Sequence, residues 1–292
     1  MHLILDAHSR IRHPGEVDCL FDSIESVGGQ SGLGEAFAFL ERSRMFEGLG
    51  LAINRDCGSP RELLDDMVGQ FGDGGVLCMN VHRNFDLVHH YFPDAKFVHL
   101  VRDPRDVARS SVKMGWVGVA YYGVDHWIRA EQSWGRLVDL VSPANTHELK
   151  YEDLLEDFRG HVGRLCQFIG VEYESEVSLY HEHSTYHPPD ISYAYQWRKV
   201  EHSREVELVE SKARGLIVGL GYELASDKPR VPGVIERSRL WIANRAYRYR
   251  FFIKRYGVLS LLLRRPFELF PWLPGANSYR RRINRIMEKH IQ

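Results

Sequence analysis

The feature that most constrains the fold is a short apolar run that passes directly into a helix. Residues 97–101 read FVHLV, which is a strand-length run of apolar and β-branched residues. Asp103 and Pro104 follow it in the cap and first positions of a helix. The runs GVLCMNV and HELK are likewise followed by helical patterns. Short apolar strands that alternate with helices predict an α/β fold, in which a parallel sheet is flanked by helices.

Polar residues follow two of these predicted strands. In open parallel sheets, ligands bind beyond the carboxyl ends of the strands, and His82 and Arg102 lie at such ends. An arginine fork and a helix N-terminus both recognise phosphate oxygens, and Ser110 lies about two turns along the following helix. The alternative is an ion pair between Arg102 and Asp103 or Asp106, with no role for Ser110. The residues alone do not decide between these interpretations.

Composition excludes several other classes of protein. Of the 292 residues, 44% are hydrophobic and 26% are charged, which is typical of a soluble protein with a sizeable core. No uninterrupted apolar run is long enough to span a bilayer. The four cysteines are scattered without metal-ligand spacing, which favours reduced thiols and a cytoplasmic location. No cluster of Asp, Glu and His indicates a metal site, so none is expected.

The charge is distributed unevenly along the chain. Residues 234–292 contain 14 Arg and Lys against 3 Asp and Glu, whereas residues 1–233 carry a net charge of −12. We therefore expect two parts, an α/β domain over 1–229 and a basic, aromatic helical extension over 230–292. Basic amphipathic helices with Trp and Phe suit a membrane surface. Packing against the acidic part or against a second subunit is the alternative, and no nucleic-acid module is evident.

Four blocks of the sequence resemble sulfotransferases that use 3′-phosphoadenosine 5′-phosphosulfate (PAPS). In chain order they read LDAHSRIRHPGE, FVHLVRDPRDVARSS, LKYEDLLEDFRGHVGRLCQFIGV and ELVESKARGLIVGLGYE. The resemblance covers roughly residues 1–225. It implies a fold similar to the P-loop nucleotide-binding proteins, PAPS as sulfuryl donor and no metal. Arg102 and Ser110 match the residues that bind the 3′-phosphate, and Tyr151 matches a tyrosine near the adenine.

One part of the family pattern is not found. In the family, a strand and a P-R-S-G-[ST]-[ST]-L loop that holds the 5′-phosphosulfate come directly before a helix that is similar to the start of this sequence. The sequence begins inside that helix, so the first strand and loop are expected to be missing. The resemblance implies transfer of a sulfuryl group to a hydroxyl or amine of a carbohydrate, lipid or other small molecule. The alternative is an inactive fragment, or a nucleotide-binding or membrane-docking module, of the same ancestry.

Two residues are candidates for the base that accepts the acceptor's proton. Glu16 matches the glutamate proposed as base in sulfotransferases that resemble the tyrosylprotein type. His82 matches the histidine of the cytosolic type, but Asn80 stands where that type has a lysine. We therefore prefer Glu16 from the sequence. Arg83 and Arg105 are candidates for additional positive charge near the site.

Overall fold

Short strands form the parallel pairing that the sequence predicts. The computed structural model describes residues 1–25, 32–72, 74–183, 187–200, 204–270 and 272–288. Strand β1 (Ile11–Arg12) pairs in parallel with β2 (Val76–Leu77), and β3 (Phe97–Val101) pairs in parallel with β4 (Thr146–Lys150). In the described residues the sheet thus takes the form of two separate two-stranded pairs. The α/β fold with parallel strands flanked by helices is confirmed.

Helices account for most of the remaining chain. They are α1 (His2–Asp6), α2 (Asp18–Glu25), α3 (Leu33–Arg42), α4 (Arg44–Leu49), α5 (Pro60–Gly69), α6 (Phe85–Tyr91), α7 (Pro104–Lys113), α8 (Ala120–Val138), α9 (Tyr151–Glu156), α10 (Phe158–Ile169), α11 (Arg204–Gly219), α12 (Val234–Tyr256), α13 (Val258–Leu269) and α14 (Ala276–Glu288). Short 3₁₀ helices lie at residues 143–145, 175–183, 191–193 and 196–200.

Two helices begin where the sequence predicts. The Ser59 side chain accepts a hydrogen bond from the Glu62 backbone N–H at the start of α5. At the start of α7, the Asp103 carboxylate accepts one from the Arg105 backbone N–H. A proline follows the cap in both cases, where its missing N–H costs nothing and its fixed φ suits the helix. Local chemistry therefore determines the entry of both helices.

The chain forms two compact units, and both strand pairs belong to the first, which comprises residues 1–101 and 130–194. Its core has two clusters of buried apolar side chains. One includes Phe21 and Leu63 and lies among α2, α3 and α5, whereas the other includes Leu149 and Leu165 of β4 and α10. The β3–β4 pair extends from Phe97 opposite Thr146 to Val101 opposite Lys150. Both strands therefore end at the same edge of the pair.

The second unit comprises residues 102–129 and 195–292 and is built around a buried arginine. The Arg105 guanidinium donates from Nε and Nη2 to Asp103, at 2.9 and 2.7 Å, and from Nη1 to Glu210, at 2.7 Å. Its centre lies 3.6 Å from the ring centroid of Trp197, whose Nε1 donates to Asp103. All four side chains are almost completely buried. Burial opposes the charge of Arg105, but the two carboxylates outweigh it and raise its pKa.

The contacts group the C-terminal helices with α7 and α11. Residues 230–292 fall in the same compact unit as residues 102–129 and 195–229. For example, the Arg204 guanidinium donates to Glu236 at 2.8 and 2.7 Å, which joins α11 to α12. The domain boundary near residue 230 stays a prediction, because compactness by itself does not test independent folding. What the structure adds is a partner for α12 within its own unit.

We expect Arg105→Ala to destabilise the protein by about 3–5 kcal/mol, because it leaves the Asp103 and Glu210 carboxylates buried without their cation. Arg109→Ala is the matched control, since Arg109 lies on the same helix and forms a partly exposed ion pair with Glu205. That variant should lose no more than about 1 kcal/mol. Urea unfolding followed by circular dichroism measures both values. Equal losses in the two variants would contradict the importance assigned to the buried network.

Candidate functional site

The parallel pairing of β1 with β2 resumes beyond the strands, where Glu16 lies beside Asn80. The backbones of Glu16 and Asn80 form a parallel bridge. The Val17 N–H donates to the Asn80 carbonyl at 3.0 Å. The Asn80 side chain lies 3.3 Å from Nε2 of His13. His82 follows Asn80 by two residues, and Glu16 is the residue that pairs with Asn80.

His82 forms a two-point contact with the first residue of α2. The His82 backbone N–H donates to Oδ1 of Asp18 at 2.8 Å, and the imidazole Nδ1 lies 2.8 Å from Oδ2. The Asp18 side chain is only 1% exposed, whereas that of His82 is 57% exposed. With Nδ1 donating to Asp18, a neutral His82 presents Nε2 as a hydrogen-bond acceptor. A buried carboxylate therefore fixes the tautomer and orientation of an accessible imidazole.

The contact changes the pKa of both partners. The hydrogen bond to Asp18 raises the pKa of His82, and the charges of Asp18 and Glu16 act in the same direction, while burial opposes them. Burial also opposes ionisation of Asp18, but its hydrogen bonds from His82 outweigh that effect and lower its pKa. The pair is therefore strongest as a carboxylate with an imidazolium.

Glu16 itself is exposed on the segment between β1 and α2. Its negative charge also acts on His2, whose pKa is nevertheless lowered because burial dominates. The ring centroids of His2 and His13 are 5.6 Å apart. The structure thus brings the two candidate bases, Glu16 and His82, into one electrostatic neighbourhood in the first unit.

Asp18 is a candidate functional residue that the sequence did not reveal. It lies 64 positions from His82, so no local spacing links the two residues. An acidic residue in the first turn of a helix is common, since it interacts favourably with the helix dipole. Only the parallel pairing of β1 with β2 brings the start of α2 to the end of the second strand.

Arg83, a candidate for additional positive charge, is paired with carboxylates of α2. Its Nε donates to Asp22 at 2.7 Å, and its Nη2 makes a second bond to the other oxygen of that carboxylate. It also lies 3.6 Å from Asp18. Arg83 is therefore held by two carboxylates of α2, and its charge opposes the raised pKa of His82. Arg105 is completely buried in the second unit, so the expectation that it adds charge at a site surface is wrong.

Arg102 and Ser110 lie in the second unit, on and just before α7. The backbone carbonyl of Arg102 accepts a hydrogen bond from the Trp127 indole at 3.1 Å. Its guanidinium is 30% exposed and lies 3.9 Å from Asp106, so the ion pair considered from the sequence is present but long. Asp106 also accepts the backbone N–H groups of Gln196 and Trp197, at 3.0 and 2.8 Å. Its carboxylate is therefore shared.

The expected contribution of backbone N–H groups at the start of α7 is not supported. Pro104 has no N–H, and the Arg105 N–H donates to the Asp103 side chain. The N–H groups of Asp106 and Val107 both donate to the Asp103 carbonyl at 3.1 Å. Every backbone donor of this first turn thus has an acceptor. Side chains would have to provide the recognition of an anion here.

The hydroxyl groups of two adjacent serines on α7 differ in their environment. Ser111 is buried, and its hydroxyl donates to the Val107 carbonyl at 3.0 Å. Ser110 is half-buried, and within the described ranges its hydroxyl has no hydrogen-bond partner. Ser110 is therefore the serine of this pair that can bind an outside oxygen.

Tyr151 is the first residue of α9 and directly follows β4. It is half-buried, and its phenol adds to the effect of burial that raises the pKa of Tyr180. The tyrosine is therefore at a strand end in the first unit, as the sequence predicts. Its role beside an adenine stays a prediction.

A separate cavity of about 390 Å³ lies within the second unit. Its walls come from α7, α8, α11 and α12 and combine the cations of Arg109, Lys113 and Arg204 with apolar side chains such as Leu208 and Leu240. This volume is within the range of ligand pockets. Arg102 and Ser110 are not among the lining residues, so the cavity is distinct from the predicted phosphate-binding residues.

Among the residues described, no group of three or more His, Cys, Asp or Glu side chains is arranged to bind a metal ion. Burial raises the pKa of the Cys19 and Cys78 thiols to about 11. At neutral pH both are thus protonated and poor nucleophiles. The Asp18–His82 contact, and the side chains of Arg102 and Ser110, are therefore the candidates for catalysis and for anion binding.

Known proteins resemble part of this chain. Residues 50–175 match the family described as the sulfotransferase family. The match covers less than half of the 292 residues. The matched segment contains His82, Arg102, Ser110 and Tyr151, whereas Glu16 and Asp18 precede it. The resemblance inferred from the sequence is confirmed.

Curated relatives and solved structures agree with this family. The omega-hydroxy-beta-dihydromenaquinone-9 sulfotransferases of Mycobacterium bovis and Mycobacterium tuberculosis are 32% identical over 93 residues, which cover 27% of this chain. The match spans about a quarter of the length of these relatives, 24%.

Two solved sulfotransferase domains share the fold at 18% identity. One comes from the curacin biosynthetic pathway, with a TM-score of 0.55, and covers 76% of this chain and 93% of its own. The other comes from the Synechococcus PCC 7002 olefin synthase, with a TM-score of 0.53, and covers 73% and 88%.

We expect Asp18→Asn to lower the pKa of His82, because it removes the carboxylate that raises that pKa. Nuclear magnetic resonance titration of the histidine rings measures the change. Asp22→Asn is the control, since Asp22 binds Arg83 and Asn84 rather than the imidazole. An unchanged His82 pKa in Asp18→Asn would contradict the interaction.

The same pair predicts a pH window for stability. The pKa of His82 is raised in the folded state, so its contribution is complete below about pH 6.5 and is lost as the pH rises through the folded value. The pKa of Asp18 is lowered, so its contribution is present above its usual value and is lost as the pH falls through the folded one. The loss of unfolding free energy in Asp18→Asn should therefore be largest between about pH 4 and about pH 6.5.

Proposed function

We propose that this chain transfers a sulfuryl group from PAPS to a hydroxyl or amine of a carbohydrate, lipid or other small molecule. The observation that carries the proposal is the imidazole of His82, oriented by the buried Asp18 at the end of a parallel strand pair. The sulfotransferase segment over residues 50–175 supports the reaction class. The curated relatives carry the name of a menaquinone-derivative sulfotransferase, which is consistent with a lipid acceptor.

Arg102 and Ser110 are the residues that would bind the 3′-phosphate of the donor. The partly exposed guanidinium can form charge-assisted hydrogen bonds to phosphate oxygens, and the Ser110 hydroxyl can donate another. Tyr151 would contact the adenine. PAPS, when bound, supplies a sulfuryl group on a phosphate leaving group. These side chains fit a phosphate monoester, and no metal is part of the proposal.

His82 is our candidate for the general base. In the neutral form, its Nε2 would accept the proton of the acceptor hydroxyl, while its Nδ1–H remains hydrogen-bonded to Asp18. The imidazolium that forms is stabilised by the buried carboxylate, and Asp18 therefore acts as a positioning residue. Glu16 was preferred from the sequence and remains the alternative base. The orientation of His82 by Asp18 is what now favours the histidine.

A binding role without catalysis is the second candidate. Arg105 is buried, and Arg83 is paired with carboxylates, so the positive charge left for the transferring oxygens is small. Stabilisation of developing negative charge is usually a large part of catalysis. A chain that retains Arg102 and Ser110 without such charge would bind the nucleotide and not turn it over. Nucleotide binding and sulfuryl transfer therefore need separate measurements.

Titration calorimetry with 3′-phosphoadenosine 5′-phosphate tests the phosphate-binding residues. We expect Arg102→Ala to weaken binding by about tenfold to a hundredfold, because it removes hydrogen bonds to a charged group. Ser110→Ala should weaken it less, and Arg109→Ala on the same helix is the control. Unchanged affinity in both Arg102→Ala and Ser110→Ala would overturn the assignment.

Transfer of radioactive sulfate from PAPS to a panel of alcohols, sugars and lipids tests the base. We expect the rate to rise with pH through the pKa of His82, since only the neutral imidazole accepts a proton. His82→Ala should lower the rate by about a hundredfold to ten-thousandfold. In Asp18→Asn the rising limb should move to lower pH and kcat should fall.

The two candidate functions and the two candidate bases give different results in this assay. If Glu16→Gln abolishes transfer and His82→Ala does not, Glu16 is the base. If the nucleotide binds but no acceptor on the panel is sulfated, the result favours the binding role.

A further inference from the structure

Helix α12 has two faces with opposite environments. Four residues at intervals of four, three and four positions, Leu240, Asn244, Tyr247 and Phe251, form the inner face. The Asn244 side chain accepts the Gly118 N–H at 2.6 Å, and the Tyr247 hydroxyl donates to the Val112 carbonyl at 3.2 Å. The Phe251 ring packs on Gly115. The inner face thus fixes α12 within its own unit.

The outer face of α12 is apolar and exposed. Ile235, Ile242 and Tyr249 recur every seven residues, and Val234 and Trp241 lie beside the first two. All five side chains are exposed, Val234 by 80%. We call these five residues the outer face. Isolated exposed apolar residues need no explanation, but a continuous face of this kind indicates an interaction surface.

The exposed apolar surface continues beyond α12. Of the 23 exposed large apolar side chains in the described part of the chain, 13 lie between residues 234 and 273. They include Leu259 and Leu262 of α13 and Trp272 after it. About a seventh of the sequence therefore carries more than half of this surface.

Arginines are interleaved with the outer face. The Arg245 guanidinium lies 5.0 Å from the ring centroid of Trp241 and 5.8 Å from that of Tyr249. Arg248 follows on the same face, and both are exposed. Residues 234–292 carry a net charge of +11. The surface therefore combines aliphatic side chains, aromatic rings and a dense positive charge.

This combination selects one class of partner. Two copies that met through this face in a symmetric dimer would place arginines against arginines. Nucleic acid would satisfy the arginines but would leave the valine, isoleucine and leucine side chains in water. An anionic bilayer surface satisfies both, since apolar and aromatic groups enter the interface while arginines bind lipid headgroups. No described helix is long and apolar enough to cross a membrane.

We propose that the outer face of α12, together with the exposed apolar residues of α13, docks the protein onto the surface of an anionic lipid bilayer. The helix would lie in the plane of the interface, with Trp241 and Ile242 among the acyl chains and Arg245 and Arg248 at the headgroups. This docking is independent of PAPS and of the residues assigned to transfer.

Flotation of the whole chain with vesicles tests the proposal in the absence of nucleotide. We expect binding to vesicles of phosphatidylcholine mixed with phosphatidylserine, little binding to phosphatidylcholine alone, and weaker binding as salt increases. Arg245→Gln and Arg248→Gln should each weaken binding about fivefold, since each arginine near an anionic surface increases the affinity by about that factor. Arg136→Gln, an exposed arginine of α8, is the matched control.

The apolar contribution is tested separately. Trp241→Ala combined with Ile242→Ser should reduce vesicle binding, whereas Leu140→Ser, at another exposed leucine, should not. Unchanged melting temperatures show that the variants remain folded. The proposal would be overturned if the protein did not bind vesicles, or if it bound neutral vesicles equally well. It would also be overturned if the Trp241–Ile242 variant lost a dimer but kept its vesicle binding. So would duplex DNA binding tighter than that to anionic vesicles.

Discussion

The second unit depends on one buried cation. Arg105 donates to Asp103 and Glu210 and stacks on Trp197. Glu210 is 105 positions from Arg105 in the sequence. Taking these charges out of water is costly, and the hydrogen bonds from Arg105 to both carboxylates offset that cost. Three distant segments are thereby joined around the start of α7. Arg102, the first residue of this unit, lies three residues before Arg105.

A related principle operates in the first unit, where a buried carboxylate meets an accessible group. Asp18 is buried and His82 is largely exposed, so the carboxylate can orient the imidazole without removing it from solvent. The hydrogen bond to Asp18 raises the pKa of His82, and the charge of Asp18 acts in the same direction, while burial and the charge of Arg83 oppose it. The basic form of the imidazole is consequently reached only at a higher pH than for an isolated histidine.

Much of the local structure was predictable because its causes are local. Ser59 and Asp103 cap the helices expected of them, each followed by proline, and FVHLV forms a parallel strand. The sulfotransferase resemblance was also readable, because its motifs are contiguous. The contact of Asp18 with His82 was not, since 64 residues separate them. The fate of Arg105 was misjudged for the same reason, because its partner Glu210 belongs to a remote helix.

The sequence by itself determined the α/β class, the starts of two helices, the candidate residues and the strong positive charge of residues 234–292. Those features follow from periodicity, capping and composition, which act over a few residues. Tertiary structure decided which of the charged groups are neutralised and which remain accessible. It also divided α12 into a packed face and an exposed face. Burial and pairing depend on residues brought together from distant positions, and a linear pattern does not contain that information.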